Sequence, residues 1–209
     1  MPLQPNLPFS FLELPEEIGT LKIALQSALA AVPEVEKPNL APRLLNLACG
    51  RADETAVLAE IFRGEGGGLE IVGADIRAAE IEEAQQRWRT GSDDDIQTRF
   101  HVDDGRRFLA SLGSADRFDV AFLRHQNFWN DPALWGRMFD GALRQLNDDG
   151  LFVITSYFDK EHRLACEELA RLGASKVAEY RNPLSRAFTG APGKSVDRHI
   201  AIFRRQGPS

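Results

Sequence analysis

The sequence predicts an α/β fold with a doubly wound, mostly parallel seven-stranded sheet. From residue 43 to residue 172, apolar segments of strand length alternate with segments whose apolar residues recur at helical spacing. Repeated βα units of this kind require a mostly parallel sheet with helices on both faces. Two further strand candidates follow near the end of the chain with no helix between them, so we expect them to pair antiparallel.

The proline-rich start of the chain precedes this alternation. Residues 1–15 contain four prolines and should lack regular structure. Over residues 16–29, apolar side chains recur at near-helical spacing, which predicts a helix that caps the sheet. We therefore divide the chain into an N-terminal extension with its helix, residues 1–42, and a main domain, residues 43–209. Residues 9–14 either pack against the domain or close over a ligand site as a lid.

The elements of the main domain follow in order along the chain. Strands are predicted at residues 43–47, 69–74, 98–102, 118–123, 151–157, 175–180 and 199–203. Helices are predicted at residues 53–62, 78–88, 105–112, 132–146 and 160–172. Turn residues separate these elements, as in the glycine-rich stretch 64–68 and in Asn-Asp-Asp-Gly at 147–150, and Pro132 suits the first turn of a helix.

The length of 209 residues suits a single domain, and composition and charge exclude several classes of protein. The formal charge of −6 is spread over mixed signs without a long basic run, so we expect no nucleic-acid partner. Two cysteines cannot form a disulfide framework, and no signal-peptide pattern or membrane-length apolar run is present. We therefore expect a cytoplasmic protein without a membrane partner. The four histidines lack the spacing of a metal site, so no metal is expected.

The stretch Leu-Leu-Asn-Leu-Ala-Cys-Gly-Arg-Ala-Asp-Glu at residues 44–54 organises the chain. An apolar strand ends there at a turn of small residues, and an acidic sequence then leads into a helix. In open α/β sheets, ligands bind just beyond the carboxyl ends of the strands, where small residues let the backbone approach and helix N–H groups point outward. The sequence therefore predicts a nucleotide-like ligand at residues 48–52.

Strand-end signals recur in the following units. Asp75 ends the second strand, Asp104 and Gly105 follow the third, and Arg124 and His125 follow the fourth. In this order and spacing, and together with the turn after the first strand, they resemble the motifs of class I S-adenosylmethionine-dependent methyltransferases. The Leu-Asn-Asp-Asp-Gly-Leu turn before the fifth strand also resembles that family's approach to its fifth strand.

The resemblance covers about residues 43–204 and implies the Rossmann-like methyltransferase sheet, with strand order 3-2-1-4-5-7-6 and an antiparallel last pair. It implies S-adenosyl-L-methionine as the cofactor and in-line methyl transfer as the reaction. We interpret the acceptor as a small molecule, which the sequence does not identify. The cofactor-binding positions that the resemblance implies are Asn46, Ala48, Cys49, Gly50, Asp75, Ile76, Asp104, Gly105 and Arg124.

Two of these residues have a physical rationale of their own. Asp75 lies where related sites place the acid that accepts hydrogen bonds from a ribose diol, and a carboxylate offers only acceptors. Asp104 could accept from an adenine amino group while the Gly105 amide approaches the ring. Each aspartate has a structural alternative, since each also precedes a predicted helix and could cap its N-terminus. For Asp104 the two roles can coexist.

The first motif departs from the family pattern at three positions. Ala48 and Ala52 stand where glycines are usual, so that only Gly50 adopts a positive φ freely, and Asn46 stands where an acid is usual. These departures favour an alternative function, a catalytically silent domain of the same fold that binds the cofactor weakly or serves a partner. Asp53 and Glu54 either compensate for the missing acid or, as acids in a first turn ordinarily do, favour the start of the next helix, which is the interpretation that we prefer.

The end of the fourth strand is the predicted substrate side. His125 is the candidate general base because its ordinary pKa lies near neutrality, and the alternative is a histidine that holds the loop. No base is strictly required, since methyl transfer can proceed by positioning alone. Asn127, Phe128 and Trp129 are the predicted substrate-side residues, and with Trp135 the aromatic side chains could form an apolar or cation-binding wall.

Overall fold

The computed structural model describes residues 14–33, 41–90 and 95–206. Its strands are β1 (Arg43–Leu47), β2 (Leu69–Asp75), β3 (Ile96–Val102), β4 (Phe118–Leu123), β5 (Leu146–Ser156), β6 (Ala174–Arg181) and β7 (His199–Arg205). Its helices are α1 (Leu14–Leu29), α2 (Thr55–Phe62), α3 (Ala78–Thr90), α4 (Gly105–Ser111), α5 (Pro132–Arg144) and α6 (Asp159–Arg171). The strands form one sheet in the order β3-β2-β1-β4-β5-β7-β6, which confirms the predicted fold and strand order.

The register of the sheet determines where a ligand site can form. Strands β1 to β5 pair parallel, and β7 pairs antiparallel with both β5 and β6. Leu47 at the end of β1 pairs with Ala74 of β2 on one side and with Leu123 of β4 on the other. The carboxyl ends of these neighbouring strands therefore meet at one edge, where ligands bind in open α/β sheets.

Helices cover both faces of the sheet. Consecutive residues of β4 point to opposite faces, so that Leu123 packs in the cluster under α4, α5 and α6, whereas Phe122 packs in the cluster under α1 and α2. Both side chains are fully buried. Burial of a side chain of this size contributes about 1.5 to 3 kcal/mol, so these two layers hold the strand ends in place.

Local signals explain where the helices begin and end. Asp131 caps α5 by accepting a hydrogen bond from the Leu134 amide at 2.9 Å, and Pro132 occupies the first turn. Gly173, with φ of 83°, follows α6 in the left-handed region that commonly ends a helix. These signals were readable in the sequence.

The segment before the fifth strand differs from the prediction. The sequence indicates a turn at residues 146–151, but β5 already begins at Leu146, which pairs with Phe118 before the register jumps to Val120 and Leu151. The intervening residues form a bulge that Asn147 secures by donating from Nδ2 to Asp119 Oδ1 at 2.9 Å. The turn-forming residues at 147–150 indicated where the β4–β5 pairing is interrupted. They did not indicate that the two strands pair on both sides of the interruption.

The N-terminal helix packs on the domain. Helix α1 begins at Leu14, slightly before the predicted start, and its buried residues Leu21 and Leu25 belong to the same apolar cluster as Ile200 and Ile202 of β7. The proposed lid falls mainly on residues 9–13, which lie outside the described residues. Among the described helices, none combines the length and apolarity needed to cross a bilayer.

Candidate functional site

A cavity of about 480 Å³ opens at the carboxyl edge of the sheet, and we call it the strand-end cavity. Its volume lies within the range of about 300 to 1,000 Å³ that is usual for small-molecule sites. Its walls come from the turn after β1, the start of α2, the region around the start of α3, and the loops after β4 and β5. The lining residues are Ala48, Cys49, Gly50, Arg51, Asp53, Glu54, Arg77, Glu80, Arg124, His125, Asn127, Trp135 and Tyr157.

The turn after β1 keeps one backbone conformation at three alternate positions. Ala48, Gly50 and Ala52 have φ angles of 52°, 53° and 54°, so the two alanines adopt the left-handed region that glycine prefers. A non-glycine residue there is destabilised by about 1 to 2 kcal/mol. A Cβ atom on Gly50 would lie 2.6 Å from Glu80 Oε2 and 2.9 Å from Arg77 Nη2, so a larger residue there requires both side-chain ends to move.

Asn46, which stands where the family resemblance implies an acid, is hydrogen-bonded to the buried acid Glu54. Asn46 Nδ2 donates to Glu54 Oε1 at 2.6 Å, and Glu54 Oε2 lies 3.7 Å from Arg124 Nη1. Glu54 is the N-cap residue of α2, where an acid favours the helix start, and although it makes no side-chain capping bond it also lines the cavity. Burial raises the pKa of Glu54, against the influence of Arg124 and Asn46. Asn46 Oδ1 is buried and has no hydrogen-bond partner within the described part of the chain.

Asp75, at the end of β2, is buried beneath the Arg77 side chain, which lines the cavity. Its Oδ2 accepts from the Gly50 amide at 2.9 Å, and its Oδ1 accepts from the Arg77 amide at 2.9 Å. The Arg77 guanidinium donates to both oxygens, each at 2.9 Å. Although burial opposes it, these hydrogen bonds lower the pKa of Asp75. A diol that approaches Asp75 must displace the Arg77 side chain, which is 54% exposed.

Asp104 occupies a similar arrangement on the next strand end. It caps α4 by accepting from the Arg106 amide at 2.9 Å, and the Arg106 guanidinium binds both of its oxygens. These hydrogen bonds hold the pKa of Asp104 well below its usual range. The predicted capping role is thus present, and the adenine contact stays a prediction. Gly105 leaves room for Met138, whose Cε would lie 2.8 Å from an added Cβ, and Ile76 is 68% exposed.

The residues after β4 join a buried charge network. Arg124 Nη2 lies 2.6 Å from Asp197 Oδ2, and the two side chains are 9% and 0% exposed. Thr155 Oγ1 donates to Asp197 Oδ1 at 2.9 Å. Burial would raise the pKa of Asp197, but Arg124 and His125 together lower it well below its usual range, so the carboxylate stays charged. Asp197 was missed in the sequence because it precedes β7, far along the chain, and no motif marks it.

His125 lies at the centre of this network. Its Nε2 is 2.8 Å from Asp197 Oδ1 and 3.2 Å from the Asp197 amide nitrogen. The same ring nitrogen accepts from the Asp197 amide in the Nδ1–H tautomer and donates to the Asp197 carboxylate in the Nε2–H tautomer or the imidazolium. The ring stacks on Tyr157 with centroids 3.9 Å apart. Burial, followed by the nearby Arg124, lowers the pKa of His125 despite Asp197, so the imidazole is uncharged at neutral pH.

The predicted substrate-side residues divide into two groups. Asn127 lines the strand-end cavity, but Phe128 lies in the core, stacked on Phe139 with ring centroids 5.6 Å apart. Trp129 packs on Phe158 at 4.6 Å and is not among the lining residues. The chain turns inward because Gln126 Oε1 accepts from the Phe128 amide at 3.2 Å.

Two aromatic residues form the cavity wall instead. Trp135, at the start of α5, and Tyr157, directly after β5, both line the cavity. Tyr157 was readable in principle, since it follows the carboxyl end of a parallel strand. Of the remaining predicted cofactor positions, Ala48, Cys49, Gly50 and Arg124 line the cavity, whereas Asp75, Ile76, Asp104 and Gly105 are not among its lining residues.

Comparisons with known proteins agree with this architecture. A family model described as a methyltransferase domain matches residues 41–195. The chain resembles an S-adenosylmethionine-dependent methyltransferase from Clostridium acetobutylicum, with 11% identity, a TM-score of 0.61, and coverage of 91% of this chain and 92% of that one. A search of curated proteins gives no match.

Two further solved structures extend the likeness. N-methyltransferase NodS from Bradyrhizobium japonicum has 16% identity and a TM-score of 0.59, over 96% of this chain and 100% of that one. An rRNA methylase from Streptococcus thermophilus has 13% identity and a TM-score of 0.60, over 89% of this chain and 97% of that one. At such identities the likeness concerns the fold.

Proposed function

The chain belongs to the methyltransferase-domain family, and we propose that it transfers a methyl group from S-adenosylmethionine to a small molecule held in the strand-end cavity. One observation carries this proposal. A single cavity joins the turn after β1, where the family resemblance puts the cofactor, to the loop after β4, where it puts the substrate.

The chemistry of the cavity fits this cofactor. S-adenosylmethionine carries a sulfonium and an ammonium group, and the carboxylates of Asp53, Glu54 and Glu80 line the cavity. Burial raises the pKa of Glu54, and a cation bound beside it would favour its charged form. When the Arg77 side chain moves aside, Asp75 offers acceptors to a ribose diol and the turn at Gly50 becomes accessible to a ligand.

In this proposal each predicted cofactor residue has a role in binding. Asn46 and Arg124 hold Glu54 in place, and Ala48, Cys49 and Gly50 present backbone atoms to the methionine part of the ligand. Asp75 and Ile76 meet the ribose, and Asp104 with Gly105 meets the adenine. The bound cofactor supplies the activated methyl group. The chain itself has only to position the acceptor atom and remove its proton.

We assign proton removal to His125. Its uncharged imidazole is the form that a base requires, and Asp197 holds the ring and favours the imidazolium that forms when a proton is taken up. Asn127 offers hydrogen bonds to the acceptor, and Trp135 and Tyr157 give it an aromatic wall.

Binding and transfer are tested separately. We expect calorimetry with S-adenosylmethionine and S-adenosylhomocysteine to show binding that Asp75→Ala weakens at least tenfold. Asp140→Asn, on the exposed face of α5, is the matched control and should leave the affinity unchanged. An Asp75→Ala variant with the affinity of the parent protein would mean that the ribose site is elsewhere.

Transfer is measured with methyl-labelled cofactor across a panel of metabolites, with RNA included because one similar structure is an rRNA methylase. We expect label in a small molecule and a loss of kcat in His125→Gln of about 100-fold or more, the usual contribution of a positioned base. Full turnover of His125→Gln across the pH range would reject the base while leaving the transfer itself in place.

One observation favours the second candidate, a catalytically silent domain. The carboxylates of Asp75 and Asp104 are both held by a neighbouring arginine, Arg77 and Arg106. A silent domain should bind the cofactor, bind it more tightly when Arg77→Ala frees Asp75, and transfer label neither to metabolites nor to RNA. These three results together would favour the silent domain over the enzyme.

A further inference from the structure

A second cluster of side chains lies between α6 and the β6–β7 pair, and it plays no part in the proposed reaction. It consists of His162 and Cys166 on α6, Glu179 on β6 and His199 on β7, and we call it the α6 cluster. We propose that the α6 cluster binds a zinc ion through these four side chains.

The separations between the ligand atoms suit one ion. His162, Glu179 and His199 each offer a ligand atom, and these atoms all lie within 4.8 Å of one another. Glu179 Oε1 is 3.1 Å and Cys166 Sγ is 3.6 Å from His162 Nε2. Ligand atoms that share a tetrahedral zinc at about 2.0 to 2.3 Å lie roughly 3.3 to 3.8 Å apart. Binding therefore requires the stacked rings of His162 and His199 to turn toward one ion, and Cys166, which lies outside the group of three, to move closer to Glu179 and His199.

The fold brings these residues together. His162 and Cys166 are four positions apart on a helix and therefore share one face. His199 pairs with Arg181, and Ala201 pairs with Glu179, so Glu179 and His199 are near neighbours on the same side of the sheet. The four side chains line a cavity of about 510 Å³ that gives an ion access. Their spacing along the chain hides this arrangement, which explains why the sequence predicted no metal.

Each histidine also has the second contact that metal-binding histidines usually have. His162 Nδ1 lies 3.0 Å from Ser156 Oγ, and His199 Nε2 lies 2.6 Å from Asp159 Oδ1. Oxygen atoms in these positions fix the orientation of an imidazole and increase its basicity toward a metal. The Ser156 hydroxyl also accepts from Gln126 Nε2 at 2.6 Å, which connects the cluster to the loop after β4.

The charges of the cluster are compatible with a cation. The two imidazole rings stack 4.6 Å apart. Lys176 contacts the other oxygen of Glu179, which leaves Oε1 for the ion. Zinc binds cysteine as the thiolate, so binding displaces the Cys166 thiol proton and releases it to the solvent.

Cobalt is the probe that reports the ligands directly. Tag-free protein is stripped with a chelator and titrated with Co²⁺, then with Zn²⁺. We expect one equivalent of Co²⁺ to give the intense visible bands of a tetrahedral site and a thiolate-to-cobalt charge-transfer band, both abolished by Zn²⁺. Calorimetry in buffers of different ionisation enthalpy should show proton release. A wild-type chain that gives no such bands and binds no zinc overturns the proposal.

Variants separate the ligands from their supports. Cys166→Ser should remove the charge-transfer band, and Asp159→Asn should weaken zinc binding about 10- to 100-fold, as expected for a support of a ligand. His199→Ala should weaken it further. His101→Ala, an exposed histidine on β3, is the matched control and should bind zinc as the parent does. Equal zinc affinity in His101→Ala, Cys166→Ser and His199→Ala would show a hydrogen-bonded cluster without a metal.

Discussion

The centre of the sheet and its carboxyl edge follow different rules. In the centre, side chains such as Leu45 and Ala121 are fully buried and apolar, and the strands pair in regular register. At the edge, charged groups such as Glu54 and Asp197 are buried instead. The non-glycine residues with positive φ in the described part of the chain also belong to this edge and its adjoining loops: Ala48, Ala52, His125 and Asp197.

This difference separates the part of the protein that provides stability from the part that forms the candidate functional site. The centre gains free energy from apolar burial. The edge contains strained backbone, which is destabilising, and buried charges, which are destabilising unless they are paired. Both features concentrate at functional sites. The centre must therefore hold the edge in place. Three variants can break or sharpen this contrast.

The largest effect is expected from Asp197→Ala. Removal of this carboxylate leaves the buried Arg124 guanidinium without its closest ion-pair partner, which should lower the free energy of unfolding by about 3 to 5 kcal/mol. Urea denaturation measures the change. The control is Asp140→Ala, which breaks an exposed Asp140–Arg144 pair on α5 and should change stability by no more than about 0.5 kcal/mol. Equal effects in the two variants would remove the distinction between edge and surface.

A smaller effect, dependent on pH, is expected from Glu161→Gln. Glu161 accepts from the Tyr157 amide at 3.0 Å, and burial raises its pKa from 4.5 to about 7. Because the folded state holds this proton more tightly, its contribution to stability is full below pH 4.5 and is lost as the pH rises through 7. As the pH rises from 4.5 to 7, we expect the free energy of unfolding of Glu161→Gln to increase by roughly 1 to 3 kcal/mol relative to that of the parent protein.

Urea denaturation of both proteins at a series of pH values tests this. The measured quantity is the difference between the two proteins in free energy of unfolding at each pH. A difference is needed because burial lowers the pKa of His162 from 6.5 to about 4 in both proteins, so that His162 makes stability fall as the pH drops from 6.5 towards 4. A difference that stays constant between pH 4.5 and 7 would contradict the assignment to Glu161.

The smallest effect is expected from Ala48→Gly. Glycine relieves the left-handed strain at φ of 52° but loses more conformational entropy on folding, so the net gain should be about 0.5 to 1 kcal/mol. Ala121→Gly in the centre of β4 makes the same chemical change without strain to relieve and should destabilise the protein. Thermal melting of the two variants should show a higher melting temperature for Ala48→Gly and a lower one for Ala121→Gly. A lower melting temperature in both variants would show that Ala48 is unstrained.

The fold could be predicted almost completely from the sequence, and the site only in part. The strands and helices could be predicted from their apolar periodicities, because these patterns are local. The order of the strands in the sheet came from the family resemblance. The bulge at residues 147–150 was missed, since turn residues do not reveal what pairs on either side of them. Ala48, Gly50, Arg124, His125 and Asn127 could be expected at one edge because the ends of parallel strands must meet there, and in the structure they line one cavity; their roles stay predictions.

By itself, then, the sequence determined the sheet, its covering helices and the edge that carries the cavity, since apolar periodicity acts over a few residues at a time. Only the tertiary structure decided that Glu54 lies against Asn46, that Asp197 joins His125, and that Phe128 packs in the core. The same holds for the α6 cluster, whose members lie on three different elements. Side chains that are distant along the chain acquire their charge states and partners only when the strands are paired, because burial and proximity exist only in the folded protein.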